Sequence, residues 1–115
     1  MASSKPPLKV TISPGARAEL KAIYAYNAEH RSPVEADRWE DFLLEGIDQL
    51  TVNHPDGKIV QGFPGLQEVT LRRSNRGHGH VVIYRVDLEA QNIRILHIYH
   101  TRQDISGRLR REGNW

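Results

Sequence analysis

The spacing of apolar and polar positions along this chain switches between two and three-to-four residues, and the switches mark its elements. Leu8, Val10 and Ile12 alternate with Lys9 and Thr11, which predicts a half-buried strand over 8–13. From about Gly15 to His30 the spacing lengthens, and Leu20, Ile23, Tyr24 and Asn27 fall on one face of a helix. Ser13-Pro14 precedes it as an N-cap followed by proline in the first turn. A second start signal, Ser32-Pro33-Val34-Glu35, combines a cap, a proline and the glutamate of a capping box. Behind it Ala36, Trp39, Leu43, Ile47 and Leu50 recur at helical spacing and carry a helix to about Val52. Only Arg31 and Ser32 separate the two helices, so an antiparallel hairpin is predicted.

The second half returns to strands. His54-Pro55-Asp56-Gly57 has turn chemistry, and Lys58–Gly65 reads as loop because glycine and proline crowd its end. Leu66–Arg73 alternates weakly as a strand, and Ser74–Gly79 reads as a turn. His80–Asp87 is a strong strand, Leu88–Gln91 a hairpin loop, and Asn92–His100 the last strand, whose two side-chain rows are both partly apolar. That strand runs into the polar cluster His100-Thr101-Arg102-Gln103-Asp104, where a rigid base presents chemistry as the chain leaves the sheet. The predicted organisation is a flexible N-terminus (1–8), one domain (9–104) and a basic, partly ordered tail (105–115). The predicted fold is α+β: an N-terminal strand, an antiparallel helical hairpin, then a three-stranded antiparallel meander with the helices on one face of the sheet.

Composition narrows the function classes. A chain of 115 residues and 13.1 kDa makes a single domain. Without cysteine it has no disulfides or thiolate metal sites. No apolar run approaches the roughly 20 residues of a membrane span, and Met1–Pro7 lacks the apolar region of a signal peptide, so a soluble cytoplasmic protein is expected. The net charge of +2 is unevenly spread: residues 1–64 hold 7 Lys/Arg against 9 Asp/Glu, and residues 65–115 hold 9 Arg against 5 Asp/Glu. Arginine is the preferred partner of phosphate and carboxylate. The asymmetry fits either a solvated sheet edge with a basic tail or a contact surface for an acidic partner or nucleic acid.

The order of elements, with the stretches S-P-G-A-R-A-E-L-K-A-I-Y-A-Y, N-H-P-D-G, G-H-G-H-V-V-I-Y-R-V and I-R-I-L-H-I-Y-H-T-R-Q-D, resembles the RelE/ParE superfamily of bacterial toxins from type II toxin–antitoxin systems, over roughly Val10–Asp104. The strand pair from Gly77 onward looks more like the ParE branch, although Tyr99 stands before His100 where that branch commonly has leucine. The resemblance implies a toxin neutralised by a cognate antitoxin, ParD-like or related. ParE-like members poison DNA gyrase, whereas RelE-like members cut mRNA on the ribosome, and one fold serves both.

A metal-free ribonuclease needs arginine or lysine beside an acid–base group. Arg72, Arg73 and His80, and above all His97, Tyr99, His100 and Arg102, are the candidates. RelE-like nucleases commonly carry arginine three residues before the tyrosine of the penultimate strand; here Val81 holds that position before Tyr84, and Arg85 points to the opposite face. That departure favours a non-catalytic, gyrase-binding toxin whose target contacts would be Arg72, Arg73, His80, Arg85, His100 and Arg102. His80 and His100 also read as strand-end residues bonding backbone or a carboxylate, and Asp104 as a partner of His100 or Arg102. Tyr24, Trp39 and Phe42 are candidates for antitoxin contact, the bland reading of the last two being core plus an ordinary exposed aromatic. No cofactor is called for. His78 and His80 share a face and His97 and His100 do not, but nothing completes a four-ligand zinc site at recognisable spacing. Trp115 is too isolated to interpret.

Overall fold

The structure, a computed structural model, describes residues 8–73 and 79–112. The N-terminal stretch 1–7, most of the 74–79 turn, His78 and Trp115 lie outside them. The order is β1 (Lys9–Ile12), α1 (Pro14–His30), α2 (Pro33–Asp48), α3 (Leu50–Asn53), a 3₁₀ turn (His54–Asp56), β2 (Lys58–Val60), β3 (Phe63–Leu71), β4 (His80–Asp87), β5 (Asn92–His100) and α4 (Ile105–Glu112). The strands make one sheet in the order β1-β5-β4-β3-β2, with β1 parallel to β5 and every other pairing antiparallel.

Both predicted caps form. Ser13 Oγ accepts from Ala16 N–H at 3.1 Å and donates to the Leu96 carbonyl at 2.9 Å, so one hydroxyl starts α1 and fastens it to β5. Ser32 Oγ accepts from Glu35 N–H at 3.0 Å. The capping box stays half made, because the Ser32 N–H goes to the Asn27 carbonyl and the Glu35 carboxylate turns to Arg73. The stripe of the second helix is buried at Ala36, Leu43, Ile47 and Leu50, but the helix divides at Gln49 into α2 and α3.

Two features depart from expectation. Lys58–Val60, read as loop, is a strand, and β3 begins at Phe63. Three residues are too few to show a period. The Pro64 and Gly65 that argued against a strand fall where the β2–β3 register slips, which is where a sheet tolerates them. Gly62 takes φ 85° in the connecting turn, a conformation open to glycine. Residues 105–112, read as part of a basic, partly ordered tail, are helical: Asp104 Oδ1 accepts from Gly107 N–H at 3.1 Å, and a side chain at Gly107 would collide with that carboxylate. The hairpin helices keep to one face as expected, and the added helix α4 takes the other. Ala16, Ile47 and Leu50 pack with Val82, Tyr84, Ile93, Ile95 and Ile98, while Leu109 of α4 packs on the reverse with Val81, Ile83, Leu96 and Tyr99. β5 is therefore buried on both faces.

A register shift sorts the side chains. Ile83 pairs with His97 and Tyr84 with Ile95, which leaves Leu96 as an extra residue in β5. The bulge leaves Leu96 and His97 together on the α4 side and lets Ile93, Ile95 and Ile98 keep to the other. Because Leu109 is fully buried, Leu109→Ala is expected to cost about 2–5 kcal/mol in a urea titration followed by circular dichroism; a cost under about 0.5 kcal/mol would mean that α4 does not cover the sheet.

Candidate functional site

The polar residues of the last two strands gather into two clusters on opposite faces of β5. On the α1–α2 face His80 and His100 sit directly opposite each other, ring centroids 5.6 Å apart. Trp39 of α2 packs edge-on against His80 at 5.4 Å, and the Arg73 guanidinium lies 5.0 Å over the indole while pairing with Glu35. Arg73 holds the Glu35 carboxyl below its ordinary range. His100 Nδ1 accepts from Arg102 N–H at 3.1 Å, so its contact is to backbone, as one reading held. The His80 Nδ1 is buried with no hydrogen-bond partner among the described residues. Burial, and secondarily the neighbouring His100, push the His80 pKa down to about 4. Asp104 caps α4, its Oδ1 accepting from the Gly107 N–H.

Beside this cluster runs a groove of about 660 Å³ between α1, α2 and the end of β5, lined by Ile23, Tyr26, Trp39, Ile98, His100 and Arg102 among others. Tyr26 is 60 % exposed there. Trp39 is thus half-buried at the groove wall, whereas Tyr24 and Phe42 do not line it. The Tyr24 hydroxyl donates to Asp37 at 2.7 Å and ties α1 to α2, and Phe42 meets Trp39 edge-on at 5.8 Å.

The second cluster lies toward α4. His97 stacks on Tyr99 with centroids 4.8 Å apart, and its ring nitrogens face Glu19 Oε2 at 3.3 Å and Glu112 Oε2 at 3.0 Å. The Tyr99 hydroxyl donates to Glu112 at 2.7 Å, and burial together with that bond raises its pKa. Arg108 lies over the Tyr99 ring at 5.4 Å and reaches Glu112 at 3.4 Å. Glu19 also receives the Ile98 N–H at 2.8 Å. Glu19, Arg108 and Glu112 escaped the sequence reading because they are remote in the chain from His97 and sit on helices whose patterns mark them only as polar.

The residues singled out from sequence are therefore divided. His80, His100, Arg73 and Arg102 share one end of the α1–α2 face, with Arg72 close by against Gly79. Arg85 is exposed at the other end of β4, opposite Arg94. His97 and Tyr99 belong to the α4 face, and Val81 is buried there beneath α4.

The site thus sits on an α+β fold, a helical hairpin on one face of a five-stranded sheet whose β1–β5 edge is parallel. The profile of the ParE toxin of type II toxin–antitoxin systems, parDE, matches residues 10–105, and the chain belongs to that family. Among solved structures it is similar to the chromosomal ParDE system from P. aeruginosa, with a TM-score of 0.68 and 23% identity over 81% of this chain and 95% of that one. The intact E. coli RelBE toxin–antitoxin complex matches at a TM-score of 0.49 and 14% identity, covering 84% of this chain and 99% of the other. The isolated E. coli RelE toxin matches at 0.47 and 13%, covering 91% and 97%. No curated protein sequence matches. Among the described residues no helix is long and apolar enough to cross a membrane.

The His80 pKa carries a stability consequence. Below pH 6.5 the unfolded chain takes up a proton that the folded ring refuses until about pH 4, so stability falls as pH drops through that window. His80→Gln should flatten the pH dependence between pH 6.5 and 4 by on the order of 2 kcal/mol after allowance for solvent screening, read from urea midpoints. An unchanged slope would place the sensitivity elsewhere.

Proposed function

We propose that this ParE-family chain is a protein-binding toxin that inhibits DNA gyrase in the cytoplasm and is held inactive by a cognate antitoxin. The observation that carries a non-catalytic reading is the division of the ribonuclease candidates. General acid–base cleavage of RNA requires the proton-transfer groups and the cationic clamp to converge within hydrogen-bond reach of one phosphate. His97 and Tyr99 point toward α4, His97 meeting Glu19 of α1 and Glu112 of α4 and Tyr99 meeting Glu112, while His100 lies on the reverse beside His80. Val81, where a nuclease arginine would sit, is buried and uncharged. Gyrase as the target rests on family membership and on the similarity to a ParDE system.

The target surface assigned in this reading is the basic end of the α1–α2 face, Arg72, Arg73, His80, His100 and Arg102. Arg85, at the far end of β4, would make a separate contact or none. The antitoxin is placed in the groove walled by Trp39, where an amphipathic segment could bury apolar side chains and set carboxylates against Arg31 and Arg102. Tyr24 and Phe42 act there by holding the hairpin and the indole.

Two measurements test this. Purified chain is expected to inhibit supercoiling by gyrase and leave mRNA intact on programmed ribosomes, with Arg102→Ala weakening inhibition about tenfold, the loss of one charge-assisted contact. Codon-phased mRNA cuts abolished by His100→Ala or Arg102→Ala would establish the ribonuclease alternative instead. Trp39→Ala should weaken antitoxin binding by about 2 kcal/mol or more, as for a central interface aromatic, measured by calorimetry; unchanged affinity would move the antitoxin off this groove.

A further inference from the structure

Asn27 stands on the apolar stripe of α1 yet is polar, and it is only 6 % exposed. It lines the groove one helical turn beyond Ile23, with Arg31 following four residues on. Buried polar side chains are normally hydrogen-bonded. Among the described residues the Asn27 side-chain amide makes no such bond, and it is not sealed from solvent as the His80 Nδ1 is. Local structure does not account for the residue either. The end of α1 is satisfied by the Asn27 main chain, whose carbonyl accepts from Arg31 N–H at 2.9 Å and from Ser32 N–H at 3.0 Å. Alanine or leucine would supply the same carbonyl and favour the helix more.

A primary amide has two donors and an acceptor oxygen with two lone pairs. While the groove is open, water serves them. Once a partner covers the groove, water leaves, and an amide that is not bonded again weakens the complex. A segment that is apolar throughout suffers this loss. One that brings a hydrogen-bonding side chain to the same point does not. The rest of the lining makes other demands: Ile23, Trp39 and Ile98 call for apolar side chains, and Arg31 and Arg102 for acidic ones. Asn27 calls for a neutral group able to donate and accept. A lone polar pair in an apolar seam fixes register, because any slip leaves both members unmatched.

Resting on the placement of the antitoxin in this groove, we propose that Asn27 is a specificity-determining residue. The antitoxin segment sets one amide or hydroxyl side chain, within an otherwise apolar row, against the Asn27 amide. That pair fixes how the segment lies along α1 and rejects antitoxins that carry an apolar residue at the same point.

The test titrates the full chain with its full-length antitoxin by calorimetry and melts the free chain alongside. Asn27→Leu and the smaller Asn27→Ala are expected to weaken antitoxin binding roughly tenfold to a hundredfold, the effect of an unmatched hydrogen-bonding group. The melting temperature of the free chain should stay the same or rise. Changing one polar residue of the antitoxin segment to leucine should restore binding to Asn27→Leu and weaken binding to the unaltered chain, a coupling read as a double-mutant cycle. If Trp39→Ala weakens binding and neither Asn27 variant does, the groove reading stands and the role of Asn27 is overturned. If neither position matters, the antitoxin lies elsewhere and both readings fall. Lower melting of both Asn27 variants would assign the amide to the fold. A binding loss that no polar-to-leucine change in the antitoxin restores would assign it to shape. Either result overturns the proposal.

Discussion

The structure depends on completing β5. A strand needs partners for its backbone on both edges, and this one also carries apolar residues on both faces. β4 serves one edge throughout. β1 serves the other only as far as Ile95, where the chain turns away into α1. Beyond that point side chains take over: Ser13 donates to the Leu96 carbonyl and Glu19 accepts the Ile98 N–H. A hydroxyl and a carboxylate from one helix thus extend the sheet where no strand remains. α1 is thereby placed against β5, the hairpin follows through α2, and the groove opens between them.

The same strand keeps two kinds of chemistry apart. With the Leu96 bulge, His97 and Tyr99 look toward α4 while Ile98 and His100 look toward the hairpin. Each face then develops its own electrostatics. Around His80 there are aromatic rings and cations, and the ring is driven neutral. Around His97 there are two carboxylates and a tyrosine hydroxyl held in its protonated form. Two histidines three residues apart in one strand, His97 and His100, meet different surroundings because their side chains leave the strand on opposite faces.

What could be read from the residues follows from how local each signal is. Ser13-Pro14 and Ser32-Pro33 mark helix starts because capping is settled within four residues. His80–Asp87 and Asn92–His100 are legible because β-branched residues fill both rows. β2 was not, since a three-residue strand has no period and its partner carries Pro64. α4 was missed because its composition is basic and its one deeply buried anchor, Leu109, gains meaning only against Leu96 and Tyr99. The basic end of the α1–α2 face was legible in part, as His80, His100, Arg73 and Arg102. Its wall, Trp39, needed the helix to be set on the sheet, and the carboxylates around His97 come from 78 residues upstream and 15 downstream.

The sheet's open margins are short: four residues of β1 on one side and three of β2 on the other. Lys9 and Lys58 begin those margins, and Glu19 has already taken the N–H that would have lengthened the first one. A copy of this chain offers another copy little backbone to zip onto, and a charge stands at each point of approach. Short margins led by lysines disfavour edge-to-edge pairing of copies even though both faces of the sheet are apolar beneath their helices.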